Sequence, residues 1–208
     1  MPDESHVRLA TRGKRNVDHA IASLAERQHG VVARRDLLLA GVDRNAIDRR
    51  IERRVLQVVH RGVYAFGHPA LTARGVWMAA VLAAGDGAVL SHRSAAAVWG
   101  LLASGLVDVT VPSQHRPLTG VCFHRSRLPD DEVTRVDGIP VTSVPRTLID
   151  LAAVTRFGQV ERAINEAEVR RLTDPLSLPV LLERYPRRPG HHQSGAGHTA
   201  VRCRHHPK

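Results

Sequence analysis

The sequence predicts an α+β fold. It reads as an N-terminal winged helix-turn-helix over residues 16–68, a small mixed helix and antiparallel-sheet domain over 69–186, and a disordered basic tail over 187–208. Three observations carry this. Between Gly30 and Gly67 the apolar period changes from that of two short helices to that of a β-hairpin. From Thr72 to Leu102 the chain is helical in pattern, and from Leu106 to Thr142 the period is mostly two. From Arg187 on there is no acidic residue and little apolar content, so that stretch cannot bury enough surface to fold.

Val17 to Gln28 places Val17, Ile21, Leu24 and Ala25 at the helical period and predicts a first helix, which packs under the third. Arg35 to Ala40 reads as a short second helix, Gly41 as the turn and Asp43 as the cap of a third helix from Arg44. In that helix Ile47 and Ile51 stand four apart and point inward, which leaves Asn45, Arg49 and Arg53 on the outer face. Val55–Val59 and Val63–Phe66 are β-rich runs around His60-Arg61-Gly62, a hairpin with glycine where a positive φ is needed. That hairpin is the wing, and the helix before it is the reading helix.

After the wing, Thr72 caps a helix through Ala84 that is almost wholly apolar, with Gly85-Asp86-Gly87 ending it. Ser91 precedes and caps a small-residue helix from His92 to Leu102, within which Gly100 signals an early end or a tight contact. Leu106–Val111 and Val121–His124 alternate around a polar turn and predict a hairpin. Glu132–Val136 and Ile139–Thr142 flank Asp137-Gly138 and predict another. Ser143 caps a helix with Pro145 in its first turn, and helices follow over Phe157–Arg171 and Pro179–Tyr185. Trp77, Trp99, Leu148 and Leu151 are assigned to the core.

Charge points to the partner. Residues 1–68 hold 13 Arg/Lys against 8 Asp/Glu, residues 69–186 hold 12 against 12, and residues 187–208 hold 5 against none. The excess sits on the reading head and the tail, where it attracts phosphate and releases counterions. Double-stranded DNA is the expected partner. Arg44, Asn45, Arg49 and Arg53 are placed toward base edges, and Arg34, Arg50 and Arg61 toward phosphate. The plain alternative is a charged, solvated face. Of the 30 basic residues 28 are Arg, so Arg counts alone carry little weight.

Other functions find less support. No apolar run approaches a membrane span and Met1 to Thr11 lacks the apolar stretch of a signal peptide, so a soluble, cytoplasmic protein without a membrane partner is expected. Cys122 and Cys203 give neither a disulfide framework nor zinc spacing. The histidines of the tail, among them His191 and His205, have no ordered scaffold on which to hold a metal. A metal-dependent nuclease needs paired acids and usually a lysine, yet the lysines are Lys14 and Lys208 alone. Ser91-His92 with Asp150 lacks the strand–turn–helix that exposes a nucleophilic serine, and Arg146 and Asp150 read as an intrahelical pair. No catalytic residue, metal or cofactor is assigned.

Gly62-Val63-Tyr64-Ala65, Ser91 to Leu101 (SHRSAAAVWGL), Asp137 to Ser143 (DGIPVTS) and Arg146 to Ala152 (RTLIDLA) stand in an order that resembles the AbiEi family of type IV toxin–antitoxin antitoxins, across about residues 16–186. The resemblance implies a winged helix-turn-helix that binds inverted repeats at its own promoter. It also implies a C-terminal antitoxin domain opposing a nucleotidyltransferase-like toxin, in a phage-defence setting. Actinobacterial relatives often append an endonuclease-like domain of unknown function, which is expected to be absent here. Two departures stand out. Arg54 occupies a position commonly held by Gly, where a left-handed side chain costs on the order of 1 kcal/mol. The character of the chain also changes at Arg187, as a frameshift or truncation would produce, or a natural basic tail. Two further functional readings stay open beside the antitoxin: the truncated regulatory part of an endonuclease-like fusion, and a mainly protein-interaction module. Operator, toxin and oligomeric state are not readable.

Overall fold

The computed structural model describes residues 17–173 and 177–185; the tail expected to be disordered lies outside them. The chain divides into two compact units, Met1–Ala83 and Ala84–Lys208, later along the chain than the division at 68/69 drawn from the sequence.

The first unit opens with helix α1 over 17–27, followed by β1 (Val31–Ala33), α2 (Arg34–Leu39) and α3 (Arg44–Glu52). Next come β2 (Leu56–His60), β3 (Val63–Phe66) and α4 (Ala73–Ala84). The strands form an antiparallel sheet in the order β1-β3-β2. The wing is thus three-stranded, because the buried run Val31-Val32-Ala33, not expected as a strand, pairs with β3. Ile21, Val32, Leu37, Ile47, Leu56 and Tyr64 meet in one core under the two short helices, with Val17, Leu24 and Ile51 packed against it. Asp43 caps α3 as expected, its Oδ1 accepting from the Ala46 N–H at 2.8 Å. Thr72 Oγ1 likewise accepts from Gly75 N–H at 3.2 Å at the start of α4. A Cβ on Gly75 would stand 2.8 Å from the His29 carbonyl oxygen, so only glycine fits where α4 crosses the turn after α1.

The turn of the helix-turn-helix is made by hydrogen bonds from Gly41 N–H to Leu38 O and from Val42 N–H to Leu37 O, with Gly41 at φ 81°. This glycine-terminated cap satisfies two carbonyls at the helix end and turns Val42 into the core, where it is 2% exposed. The same pattern closes α3, from Arg54 N–H to Ile51 O and from Val55 N–H to Arg50 O, with Arg54 at φ 58°. The left-handed position expected at Arg54 is therefore real. At the wing tip Gly62 adopts φ 77°, as the hairpin requires, beside a bulge between Val58 and His60.

The second unit contains β4 (Val89–Leu90), α5 (His92–Val98), β5 (Val107–Val111), β6 (Val121–Arg125), a 3-10 turn (Asp130–Glu132), β7 (Val133–Val136) and β8 (Ile139–Thr142). Helices α6 (Val144–Ala152), α7 (Phe157–Val169) and α8 (Ser177–Arg184) follow. Its sheet runs β6-β5-β4-β8-β7. The α+β class holds, but the sheet is mixed where an antiparallel one was expected. β7–β8 is the expected antiparallel hairpin, whereas β5 and β6 run parallel, from Val107 opposite Val121 to Val111 opposite Arg125. The intervening segment doubles back instead of turning once, with Leu118 bridged to Val121. Helix α5 packs on β5, β8 and α6, and α7 and α8 pack on α6.

The core of the helical layer joins Ala96, Leu101, Val144, Leu148, Leu151, Ala163 and Ala167. Trp99 is half-buried against it and donates from Nε1 to Thr142 O at 3.0 Å; Trp77, on α4, is half-buried as well. Gly100, at φ 72°, ends α5 early at Val98, and Arg170 lies against its α-carbon so closely that a Cβ would meet Nη1 at 2.6 Å. Ser91 and Ser143 occupy the N-cap positions of α5 and α6, yet neither side chain makes the cap hydrogen bond expected of it.

Candidate nucleic-acid interface

The reading helix is a nine-residue element held on one side by Ala46 and Ile47, both buried. Arg44, Asn45, Arg49 and Arg53 are exposed on it, which is what the apolar spacing of Ile47 and Ile51 dictates. Arg61 is exposed at the wing tip. Arg54, notable in the sequence only for its backbone, is exposed too and adds a further cation directly after the helix.

Arg34 and Arg50 behave differently. The Arg34 guanidinium donates from Nη1 to Asp48 Oδ1 at 2.9 Å and to the Tyr64 hydroxyl at 3.2 Å. The hydrogen bonds it donates to Asp48 and then to Tyr64 raise its pKa further above the ordinary arginine range, and the same pairing lowers that of Asp48. Arg50 donates from Nε and Nη2 to Asp18 Oδ1 at 2.8 and 2.7 Å, and from Nη1 to Ala46 O at 2.9 Å; its side chain is only 12% exposed. Beside this pair, Arg49, Arg53 and Val55 line a shallow cleft with Asp18 and Arg50. At the wing, half-burial of His60 lowers its pKa below the ordinary histidine value.

Two helices joined by a left-handed glycine, an exposed polar and basic row on the second, and a wing behind it are now in place. Residues 19–67 match the family model described as transcriptional regulator, AbiEi antitoxin. No curated protein matches the chain. The AbiEi match runs from α1 through β3, so all seven residues placed on the interface from the sequence, Arg34, Arg44, Asn45, Arg49, Arg50, Arg53 and Arg61, fall inside it. Among the described residues no helix is long and apolar enough to cross a membrane.

Outside the AbiEi match, the second unit holds two polar clusters. In the first, Asp108, fully buried on β5, receives Arg93 Nε and Nη2 at 2.8 and 2.9 Å and His124 Nε2 at 2.9 Å. The His124 ring stacks on that of His92, with centroids 3.5 Å apart and planes 16° from parallel. His92 itself has φ 49° and bonds through Nδ1 to Ser91 Oγ at 2.9 Å, and Ser91 Oγ accepts from Thr110 Oγ1 at 2.8 Å. The Ser91 hydroxyl is thus committed to this network. Burial would raise the pKa of Asp108, but hydrogen bonds from His124 and Arg93 outweigh it and hold the carboxyl below the usual range.

Asp108, Cys122 and His124 also place three potential metal-ligating atoms within 4.8 Å of one another. Cys122 and His124 stand two apart on β6, and the parallel pairing with β5 brings Asp108 beside them, which linear spacing does not reveal. The Asp108 carboxylate of this group is already bound by Arg93 and His124.

The second cluster surrounds Arg146 on α6. Its guanidinium, 1% exposed, binds Glu132 through Nη1 and Asp150 through Nε, the latter at 2.9 Å. Tyr185 closes over it, donating to Glu132 Oε1 at 2.7 Å, and Arg184 reaches Glu132 and Asp131. The expected Arg146–Asp150 pair exists, but buried and shared with Glu132. Asp150 binds Arg146, whereas Ser91 Oγ is bound to His92 and Thr110.

Proposed function

We propose that the chain is a DNA-binding transcriptional regulator that acts as the antitoxin of a type IV toxin–antitoxin or phage-defence pair. The observation that carries this is the exposed row Asn45, Arg49 and Arg53 on the second helix of an AbiEi-matched head. Asn and Arg are the side chains that pair bidentately with adenine and guanine in the major groove. Arg44 stands at the start of that row toward the base edges, and Arg61 and Arg54 add phosphate contacts around it. Residues 69–186 then carry the antitoxin function against a nucleotidyltransferase-like toxin without catalysing a reaction.

Binding of the full chain to a duplex of its own upstream region, compared with a shuffled duplex, tests the reading. Arg49→Ala is expected to cost roughly 1–3 kcal/mol on the upstream duplex and to relax its preference. Equal binding of the wild type and an Arg49/Arg53 double alanine variant to that duplex overturns the assignment. Co-expression with an adjacent nucleotidyltransferase-like gene tests the antitoxin part, with restored growth expected and unrelieved toxicity against it.

A further inference from the structure

We propose that Arg34 and Arg50 are positioning residues, whose ion pairs with Asp48 and Asp18 grip the reading helix on both sides of Arg49 and join helix and wing into one reading unit. The inference rests on the DNA-binding reading of this head and assigns to two of its arginines a task other than phosphate contact.

Successive helical residues are about 100° apart around the axis, so Asp48 and Arg50 stand on opposite flanks of Arg49. On one flank α1 holds the helix through Asp18 and Arg50. On the other, Arg34 holds it through Asp48. Arg34 also reaches the wing twice, through Tyr64 on β3 and through its own backbone N–H, which donates to Gly62 O in the wing turn at 2.7 Å. One residue at the start of α2 thereby fixes the reading helix relative to the hairpin that carries Arg61. A phosphate contact needs donors and net charge to spare. Three of the five N–H donors of Arg50 go to Asp18 and Ala46 O, and each arginine is neutralised by its aspartate. Arg44, Arg49, Arg53, Arg54 and Arg61 have no ion-pair partner among the described residues.

The two roles predict different salt dependence. Losing a phosphate contact lowers the slope of log affinity against log salt by about 0.9, whereas losing a positioning residue leaves the slope and reduces discrimination. The full chain and its Arg34→Gln, Arg34→Lys, Asp48→Asn and Arg50→Gln variants are titrated with the upstream and shuffled duplexes at several salt concentrations. Arg34→Gln, Arg34→Lys and Arg50→Gln are each expected to lower the upstream-to-shuffled ratio by roughly tenfold, the size of one lost base contact, at an unchanged slope. Asp48→Asn separates the ideas by sign: freeing Arg34 for phosphate would tighten binding and keep the ratio, whereas a broken brace lowers the ratio.

A slope reduced by about 0.9 with the ratio intact in Arg34→Gln overturns the proposal. Amide hydrogen exchange on the DNA-free chain supplies a readout independent of binding, with faster exchange expected in both α3 and β2–β3 of Arg34→Gln. If the wild type shows no preference for the upstream duplex, the functional reading fails while the exchange result still decides the brace. Unchanged exchange in both elements refutes the brace.

Discussion

Arg54 ends the reading helix in the same left-handed conformation, φ 58°, in which Gly41 ends the helix before it, φ 81°. The two caps share their hydrogen bonds, from each left-handed residue and the one after it back to the last turn. Only the first uses the residue type that adopts this conformation without steric cost. Arg54→Gly is therefore expected to stabilise the first unit by about 0.5–1 kcal/mol, the relieved strain less the extra unfolded-chain entropy of glycine. Thermal denaturation checks this. The same variant is expected to bind DNA less tightly at low salt, because the exposed cation is lost. A lower melting temperature in Arg54→Gly refutes the strain argument.

Arg61, exposed at the wing tip, stands apart from the row Asn45, Arg49 and Arg53. Arg61→Ala is expected to weaken the upstream and shuffled duplexes by the same factor and to reduce the salt slope by about 0.9. Salt titration of both duplexes measures it. A loss confined to the upstream duplex would instead make Arg61 a reader of sequence.

Arg146 is the largest fully buried side chain among the described residues, and Glu132 and Asp150, each 1% exposed, both bind it. Arg146→Met removes the buried cation that both acids bind, so a loss of about 3–5 kcal/mol is expected. Urea denaturation followed on the second unit reads it. Adding Glu132→Gln to Arg146→Met should recover part of the loss, since it removes one uncompensated charge.

Asp108 sets an acid limit. Its folded pKa lies below the unfolded carboxylate value, so the stability it contributes is complete above about pH 4–5 and is lost as the pH falls through that range toward the folded value. Asp108→Asn should cost roughly 2–3 kcal/mol at pH 7 through loss of charge-assisted hydrogen bonds and flatten the acid limb of the stability profile. Melting temperatures from pH 3 to 7 test both. A variant that keeps the wild-type acid limb would place the limit elsewhere.

Local chemistry was readable in the sequence and long-range pairing was not. Ile47 and Ile51 define the inward face of the reading helix by spacing alone, and Asp43, Gly41 and Gly62 announce the cap and the turns because each answers a local backbone demand. Strand direction is no such demand. The alternation in Leu106–Val111 and Val121–His124 says which side chains share a face but nothing of whether the strands run together, and they run parallel. Arg34 looked available for phosphate because Asp48 and Tyr64 are far from it along the chain. Arg146 and Asp150 were visible as neighbours on one helix, but Glu132, which makes their pair a buried cluster, arrives from another element.

Strand β4 is only Val89 and Leu90, yet it lies at the centre of its sheet, antiparallel to β5 and parallel to β8. Leu90 faces Val141 across that seam, roughly fifty residues along the chain, a closure whose entropy must be spent before many of the sheet's contacts exist. The β7–β8 hairpin forms locally; the seam does not. The second unit should therefore be slow to assemble for its size, and while its chain leaves the ribosome β4 and β5 must wait with unmatched edges for residues translated later.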